Sequence, residues 1–299
     1  MINFLQILVE GTLVGLVYGL VAISFVVIYR ASRIVNLAQG EVVVFGAFFL
    51  WTCTYGLQSV GIEVPLFVAA LMTLVACVLF GLLLERLVFR PLIGQPAFAI
   101  FMASVALLIL LRGIAQLVWT AETRPFPVIL PDGTFTIGPF LISTRLLIGG
   151  IFTVILSFAL HYYFTRTRQG LRLAAVAEDH NTALSLGVSV RAATAIAWIL
   201  GAIVATLGAV VLLSGRIVSL EVAQIGFKAL PVALLGGLES IRGAPLAGII
   251  IGVSEALAMA YLDPVTNGAA SGILPYAMMI AVILVQPQGL FGWKKIERL

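Results

Sequence analysis

Long apolar blocks recur along the whole chain and are separated by short polar segments. A helix that crosses the hydrocarbon core of a bilayer needs roughly 20 mainly apolar residues, and it satisfies its own backbone hydrogen bonds there. The pattern predicts nine membrane-spanning helices, at residues 5–28, 38–57, 64–88, 97–119, 145–164, 190–213, 225–238, 244–262 and 272–286. The seventh is the shortest and is interrupted by Pro231, Gly236 and Gly237.

Composition supports the same fold class. A mean hydropathy of +1.16 with only 10% charged residues is outside the range of soluble proteins. We therefore expect an all-α, polytopic bundle of about nine spans that forms a single domain over residues 1–299. The opening stretch MINFLQILVE has no basic residues before its apolar block, so the first helix is expected to be an uncleaved span.

Lysine and arginine residues set the orientation, because cytoplasmic loops retain them. Nine crossings with an external N-terminus put twelve of the seventeen basic residues on the cytoplasmic side. These twelve are Arg30, Arg33, Arg86, Arg90, Arg166, Arg168, Arg172, Arg191, Arg242, Lys294, Lys295 and Arg298. Arg124, Arg145, Arg216 and Lys228 fall outside, and Arg112 lies within a span. The net charge of +4 is therefore read as part of this topology signal, and we expect no nucleic-acid partner, because none is needed to explain it.

Residues for covalent or metal chemistry do not converge in the sequence. Cys53 and Cys77 both fall within spans, where a thiol behaves as a small hydrophobe. His161 and His180 have no partner at ligand spacing. None of the three lysines is preceded by glycine, so the phosphate-binding GxxxxGK[ST] loop is missing. We therefore expect no catalytic residue, no metal site, no bound cofactor and no ATP hydrolysis by this chain.

The external loop at residues 120–144 is expected to form an ordered cap. It contains the tripeptide PDG between two apolar runs rich in β-formers, which indicates a hairpin turn at residues 131–133. One interpretation is a connector that shields helix ends, and the other is a docking surface for another protein.

The loop at residues 165–189 gathers charges on the predicted cytoplasmic side. Its good helix formers end at Gly187, which predicts one short helix along the membrane surface. Small alanines, including Ala183, allow close approach of another surface, and Glu178 and Asp179 are available to its basic groups. The alternative is an interfacial helix that its arginines anchor to membrane lipid.

Polar residues also enter several of the apolar spans. Asn36, Gln39 and Glu41 stand at the cytoplasmic start of the second span, where polar groups are costly unless they face protein or water. We predict that they line or gate a path, with Glu41 partly neutralised by Arg33. The alternative is structural, with Asn36 as the helix N-cap and Glu41 paired with Arg30 or Arg33.

Glu255 lies deep in the eighth span, and an acid there is a functional candidate by default. An ion pair with Arg112 or a hydrogen-bonded protonated carboxyl explains it equally well. Glu10, and Glu85 beside Arg86, are weaker cases of the same kind. Glycines of the stretch 233–261, including Gly248 and Gly252, predict close helix contacts, and Glu239 and Arg242 mark a tight cytoplasmic turn.

Three segments, taken together and in order, resemble the membrane permeases of branched-chain amino acid ABC importers, closest to their LivH-like half. They are GLVYGLVAISFVVIYRASRIVNLAQGEVVVFGAF, RQGLRLAAVAEDHNTALSLGVSV and LPVALLGGLESIRGAPLAGIIIGVSEAL. The resemblance extends from Gly11 to PQGLFG at residues 287–292. The stretch that is NFAHGE-like in the family is NLAQGE here, with Gln39 in place of the usual His, so the resemblance leaves the cargo open.

The resemblance implies a second homologous permease subunit, two cytoplasmic ATPase subunits that bind ATP and Mg²⁺, and an extracytoplasmic solute-binding protein. It identifies the cytoplasmic loop as a coupling helix that contacts an ATPase through Arg172, Glu178, Asp179, Ala183 and Gly187. It also implies the cytoplasmic (inner) membrane of a bacterium or archaeon. The sequence thus predicts half of a translocation path for small neutral or hydrophobic amino acids.

Other functions fit the sequence less well. Relatives in the resembling family also carry urea, amides or aromatic acids. A secondary transporter that uses H⁺ or Na⁺ through Glu41 or Glu255 usually has inverted repeats with matching broken helices, and the first half has no break to match the seventh span. A membrane-embedded enzyme needs a convergent nucleophile and base, or a metal cluster, and no such set stands out in the sequence.

The orientation can be tested directly. A reporter fused after Leu299 is expected to be cytoplasmic, because most basic residues fall on that side. Thr134→Cys in a cysteine-free background is expected to react with an impermeant reagent from outside. An external reporter would mean that one span is miscounted, and segment 225–238 would be the first to re-examine.

Overall fold

The computed structural model describes residues 2–138 and 140–292, and within them the chain is mainly helical. The α-helices are α1 (Ile2–Ser32), α2 (Gln39–Trp51), α3 (Leu66–Leu84), α4 (Ala97–Trp119), α5 (Thr144–Arg166), α6 (Arg168–Glu178), α7 (His180–Ser185), α8 (Val190–Leu213), α9 (Gln224–Gly236), α10 (Gly243–Tyr261), α11 (Asp263–Thr266) and α12 (Ala269–Val285). The strands are β1 (Arg124–Pro125), β2 (Thr134–Ile137), β3 (Phe140–Ser143) and β4 (Ile217–Val218).

Each of the nine predicted spans coincides with one of these helices. Six helices are long and apolar enough to cross a bilayer, namely α1, α3, α4, α5, α8 and α10. The other three are α2 and α9, with 13 residues each, and α12, with 17. A multi-pass membrane protein is therefore established, while the count of nine crossings and the orientation stay predictions. Lys294, Lys295 and Arg298, on which the orientation partly depends, lie outside the described residues.

Two helices continue into wider π-helical turns, at Thr52–Gly56 after α2 and at Glu85–Phe89 after α3. After α2, the hydroxyls of Thr52 and Thr54 donate to the carbonyls of Phe48 and Leu50, four residues back. Such back-bonding competes with the regular helix ladder and often bends the helix. Short 3₁₀ turns follow at Arg90–Leu92 and Leu220–Ala223.

The chain divides into two compact units. Unit 1 contains residues 1–26, 131–161 and 228–299, and unit 2 contains residues 27–130 and 162–227. Of the four boundaries between them, three fall within helices α1, α5 and α9, and the fourth falls between residues 130 and 131, ahead of strand β2.

In unit 1, helices α1 and α10 meet along a seam of small residues, which confirms the close contacts predicted for Gly248 and Gly252. A Cβ on Gly248 would meet the backbone of Gly15, and one on Gly252 would meet Gly11 and Gly15. A Cβ on Gly19 would lie 2.8 Å from the Cα of Pro245. Small residues let two backbones approach closely, which gives helices in lipid much of their packing energy.

Unit 2 is built around helix α2, which packs against α3, α4 and α8. Gly46 of α2 lies directly against Thr206 of α8, and Gly81 of α3 against the backbone of Trp198. An aromatic cluster joins α2, α3 and α4 with ring centroids 4.6–5.9 Å apart, and consists of Phe45, Phe48, Phe49, Phe80 and Trp119. Such ring pairs add roughly 0.5–1.5 kcal/mol each beyond the area that they bury.

The hairpin of the loop at residues 120–144 lies later in the chain than predicted. Strands β2 and β3 pair antiparallel, and their connection contains Gly138, whose φ of +61° suits glycine. The PDG tripeptide instead precedes β2, and Gly133 accepts a hydrogen bond from the Thr144 amide at the start of α5. The apolar run before the PDG tripeptide does not pair as a strand of this hairpin. It is held by Ser214, whose hydroxyl accepts hydrogen bonds from the amides of Ile129 and Leu130.

The glycine seam makes a stability prediction. Gly248→Val is expected to destabilise the protein by about 1–3 kcal/mol or more, because the added side chain overpacks a backbone contact. The matched control is Gly272→Val in α12, where a Cβ meets nothing within 4 Å. Thermal unfolding in detergent checks both variants, and equal midpoints would show that the seam does not stabilise unit 1.

Candidate functional site

The polar residues predicted to line a path form one cluster in unit 2. Asn36, Gln39 and Glu41 are 1%, 0% and 3% exposed. The Asn36 amide donates to Gln39 Oε1 at 2.9 Å, and the Gln39 amide donates to the carbonyl of Gly201 in α8 at 3.3 Å. The cluster therefore joins the start of α2 to the middle of α8. Its role as a path stays a prediction.

Asn36 does not cap helix α2 as the structural alternative expected. The N-cap is Ala38, and its side chain makes no capping hydrogen bond. Asn36 Oδ1 instead accepts the Ala38 amide at 3.1 Å, and this bond orders the non-helical residues 33–38 ahead of the helix. Local side-chain bonds of this kind are typical of Asn before a helix.

Glu41 pairs with Arg112 of α4 and not with Arg30 or Arg33, so the expected partners were wrong. Arg112 Nη1 lies 3.5 Å from Glu41 Oε1, and Arg112 also donates to the Leu220 carbonyl and to Glu221 at 3.2 Å. The pairing follows from packing, because α4 lies against α2 and the 3₁₀ turn at residues 220–223. Arg33 instead pairs with Glu178 at 2.6 Å.

The other oxygen of Glu41 is left open. Within the described residues, Oε2 is buried and has no hydrogen-bond partner. An unsatisfied buried acceptor of this kind costs about 1–3 kcal/mol, and more when it is charged. The cluster therefore combines a free carboxylate oxygen with amide groups, and it is equipped to accept N–H donors from a small polar molecule.

Glu255 has a partner that differs from the expected one. Its Oε1 lies 2.5 Å from Nζ of Lys228 in α9, so the predicted pair with Arg112 was wrong. Lys228 was assigned to the outside loops, although it stands in the second turn of the helix predicted over 225–238. Its position near Glu255 was missed because pattern alone does not reveal which helices are neighbours.

The two weaker acids differ from each other. Glu10 is exposed in α1 and accepts a hydrogen bond from Gln6 at 2.6 Å. Glu85 is fully buried and binds Arg90 through two hydrogen bonds of 3.1 and 2.8 Å, while the Thr194 hydroxyl of α8 donates to it at 3.0 Å. The π-helical turn carries Arg90, and not the adjacent Arg86, back to this carboxylate.

The loop at residues 165–189 contains two short helices where one was predicted. Asp179 has an extended conformation and ends α6, and its carboxylate accepts the Thr182 amide at 2.8 Å to cap α7. Gly187, with φ of +75°, terminates α7 in the position expected for a helix-ending glycine. Its amide donates to Leu184 at 2.9 Å, and the Val188 amide donates to Ala183 at 2.9 Å.

The predicted contact residues of this loop differ in accessibility. Ala183 is 1% exposed, so it faces its own chain beside α8 and offers no surface to a partner. Glu178 is exposed and bonded to Arg33, and exposed Arg172 borders a cavity of about 350 Å³ together with Gly187 and residues of early α8. Three exposed leucines of this loop were not among the predicted contact residues, namely Leu171, Leu184 and Leu186. Large apolar side chains amid polar ones were their available signal.

Comparison with known proteins identifies relatives along the whole chain. The pattern of the family described as branched-chain amino acid transport system / permease component matches residues 7–283. The permease protein BraD of the high-affinity branched-chain amino acid transport system of Pseudomonas aeruginosa is 29% identical over 99% of this chain and 98% of its own. The corresponding LivH of Escherichia coli is 29% identical over 99% and 97%.

More distant matches were also found. A probable branched-chain amino acid transport permease protein LivH of Methanocaldococcus jannaschii is 26% identical, with 98% of this chain and 95% of its own covered. Among solved structures, PsaBC from Streptococcus pneumoniae in complex with Fab aligns at a TM-score of 0.43 with 16% identity, over 96% and 93% of the two chains.

The Glu41–Arg112 pair predicts a pattern of stabilities. Arg112→Met is expected to lower the free energy of unfolding by about 3–5 kcal/mol, because it leaves a buried carboxylate without its cation. Glu41→Gln combined with Arg112→Met is expected to recover most of that loss. Thermal unfolding of the two single variants and the double variant checks the pair, and additive losses would show that the two residues do not interact.

Proposed function

We propose that this chain, which belongs to the family of permease components of branched-chain amino acid transport systems, is one membrane subunit of an ABC importer and forms half of its translocation path. The family match over residues 7–283 carries this proposal. The relatives BraD and LivH align with 99% of this chain and with 98% and 97% of their own length. As a transport subunit it performs no covalent chemistry.

The proposed cargo is a small branched-chain or hydrophobic amino acid. BraD and LivH are named for branched-chain amino acid transport, which supports this class. A cargo with an aliphatic side chain suits spans of this hydropathy, because the transfer of its apolar surface from water to apolar surroundings is favourable. Urea, amides and aromatic acids are the alternatives among related importers.

The proposed partners supply energy and substrate. A second, homologous permease completes the path in a heterodimer within the cytoplasmic membrane. Two cytoplasmic ATPase subunits bind ATP with Mg²⁺, since no phosphate-binding loop occurs in this sequence. An extracytoplasmic solute-binding protein delivers the cargo. Binding energy from these partners shifts the permease pair between outward-open and inward-open states.

Within this chain, the cluster of Asn36, Gln39 and Glu41 is proposed to line the path. Its support is the set of buried polar groups with an open carboxylate oxygen. Such groups at membrane depth are retained at a cost, and they mark routes for polar cargo in many transporters. Arg112 offsets the charge of Glu41 in this cluster, and it also pairs with Glu221.

Coupling to the ATPases is proposed to run through α6 and α7. Their exposed leucines, Leu171, Leu184 and Leu186, provide an apolar surface for an ATPase cleft. Arg33 connects this surface to the path, since it binds both the Glu178 carboxylate and the Ala177 carbonyl, at 2.6 and 3.2 Å. Arg33 stands three residues before Asn36, so a movement of α6 acts on the residues that hold the cluster.

The function is tested by reconstitution. The chain, its co-encoded permease and its ATPase subunits are placed in liposomes with the solute-binding protein. We expect ATP-dependent uptake of leucine that isoleucine and valine compete away and urea does not. Uptake by this chain alone, driven by an H⁺ or Na⁺ gradient, would replace the proposal with a secondary transporter. Uptake of urea instead would reassign the cargo.

The path cluster gives a separate prediction. Gln39→Ala and Glu41→Ala are each expected to lower leucine uptake by about tenfold or more, because a polar contact to the cargo or to the gate is lost. Blue-native gels of the complex serve as the control for assembly. Normal uptake by both variants would remove the cluster from the path, and loss of the complex would favour the structural alternative.

The coupling surface gives another prediction. Leu186→Asp, at a position that is 75% exposed, is expected to leave folding intact and to release the ATPase subunits, because a charge then faces an apolar cleft. Ala183→Trp is expected to unfold α7 itself, since that site is already filled. Glu178→Gln is the mild control, because an exposed ion pair contributes only about 0–1 kcal/mol. Full retention of ATPase subunits by Leu186→Asp would contradict the docking surface.

A further inference from the structure

An ion pair in unit 1 has no role in the function proposed so far. Lys228 of α9 and Glu255 of α10 bind each other at 2.5 Å, and Lys228 Nζ lies 5.7 Å from the centre of the Tyr18 ring in α1. Three helices therefore meet at one pair of opposite charges. Gly252, one turn before Glu255, is in backbone contact with α1, which holds α10 in place beside the pair.

The pair leaves hydrogen-bonding capacity unused. Glu255 Oε2 is buried and has no partner among the described residues, while the Lys228 side chain is 35% exposed. A lysine ammonium has three N–H donors, and a carboxylate oxygen has two lone pairs. A buried open acceptor beside a partly exposed ammonium is the complement of a molecule that carries an ammonium and a carboxylate on neighbouring atoms.

We propose that Lys228 and Glu255 bind the carboxylate and the ammonium of a zwitterionic α-amino acid as it passes through the permease. The proposal rests on amino acid transport as the proposed function and adds the residues that recognise the charged part of the cargo. Lys228 takes the carboxylate, Glu255 takes the ammonium, and the Tyr18 ring face lies beside the cationic groups.

Charge balance is the physical reason for this assignment. A single buried charge is very costly in a membrane protein, whereas a neutral pair that receives a net-neutral zwitterion adds no net charge. The four charges alternate in sign when the cargo is bound, so each keeps an opposite neighbour. The side chain of the cargo takes no part, and one site therefore serves leucine, isoleucine and valine alike.

The same arrangement occurs independently in unit 2. Glu41 is also held through Oε1 by a cation, Arg112, whose side chain is 34% exposed, and its Oε2 is also buried without a partner. In both units the carboxylate oxygen is covered in the conformation described, so cargo reaches it only after the helices move. This fits a site that is exposed in one state of a transport cycle and closed in another.

A structural role predicts different behaviour. If the pair only ties α9 to α10, any arrangement that restores one cation and one anion should restore function. The swap Lys228→Glu with Glu255→Lys restores the tie, but it places the carboxylate and ammonium of the cargo in reversed positions. The swap therefore separates binding from mechanical support.

The experiment uses the complete complex in proteoliposomes, with the solute-binding protein loaded with leucine. Glu255→Gln, Lys228→Met and their double variant are compared with Glu10→Gln, an exposed carboxylate of the same unit. We expect leucine uptake to fall about tenfold or more in the first three while ATP hydrolysis continues, so that the ratio of ATP to cargo rises. Glu10→Gln is expected to match the unmodified complex.

The swap variant is expected to assemble but not to transport. Transport restored by the swap, or normal transport by the neutral double variant, would overturn the proposal. The double variant also guards against loss of folding, because it buries no unpaired charge. If the unmodified complex itself carries no amino acid with ATP, the proposed function has failed, whatever the variants do.

Discussion

A carboxylate buried among apolar helices is stable only beside a cation, and much of this arrangement depends on that constraint. Three buried acids each have a basic partner, in the pairs Glu41–Arg112, Glu85–Arg90 and Glu255–Lys228. Two of these pairs connect different helices, α2 with α4 and α9 with α10. Removing one member of a pair leaves the other as a buried charge without its partner. Each of these two pairs therefore determines which helices are neighbours as strongly as apolar packing does.

The start of α2 brings contacts to several other helices together in a few residues. Residues 33–38 leave the helical path, with Arg33 at a φ of +56°, a conformation that is uncommon outside glycine. Arg33 holds helix α6 at one end of this segment, and at the other end Asn36 bonds to Gln39, which in turn holds α8 through the Gly201 carbonyl. A segment without its own helical ladder changes shape more easily than the helices on either side. It is therefore the segment through which the coupling proposed for α6 would act on the polar cluster.

Sequence reasoning located the helices well and their partners poorly. The nine apolar segments all became helices, because hydropathy and local backbone satisfaction decide that level of structure. The partners of Glu41 and Glu255 were wrong, since they depend on which helices are neighbours, and no local pattern contains that information. Gly187 ended its helix as predicted, because the positive φ at a helix end depends on that one residue and glycine adopts it readily. The break between α6 and α7 at Asp179 was not predicted. An aspartate serves as a helix N-cap but also occurs on the exposed surface of a helix, so its presence alone does not mark a break.

The glycine seam between α1 and α10 has a mechanical consequence. Most helix contacts consist of side chains that change rotamer, so such helices shear past each other by small steps. Gly11, Gly15, Gly248 and Gly252 bring backbone against backbone and have no rotamers to change. The two helices are therefore expected to behave as one stiff rod in any rearrangement of unit 1, and bending is left to the loops that connect them to the rest of the chain.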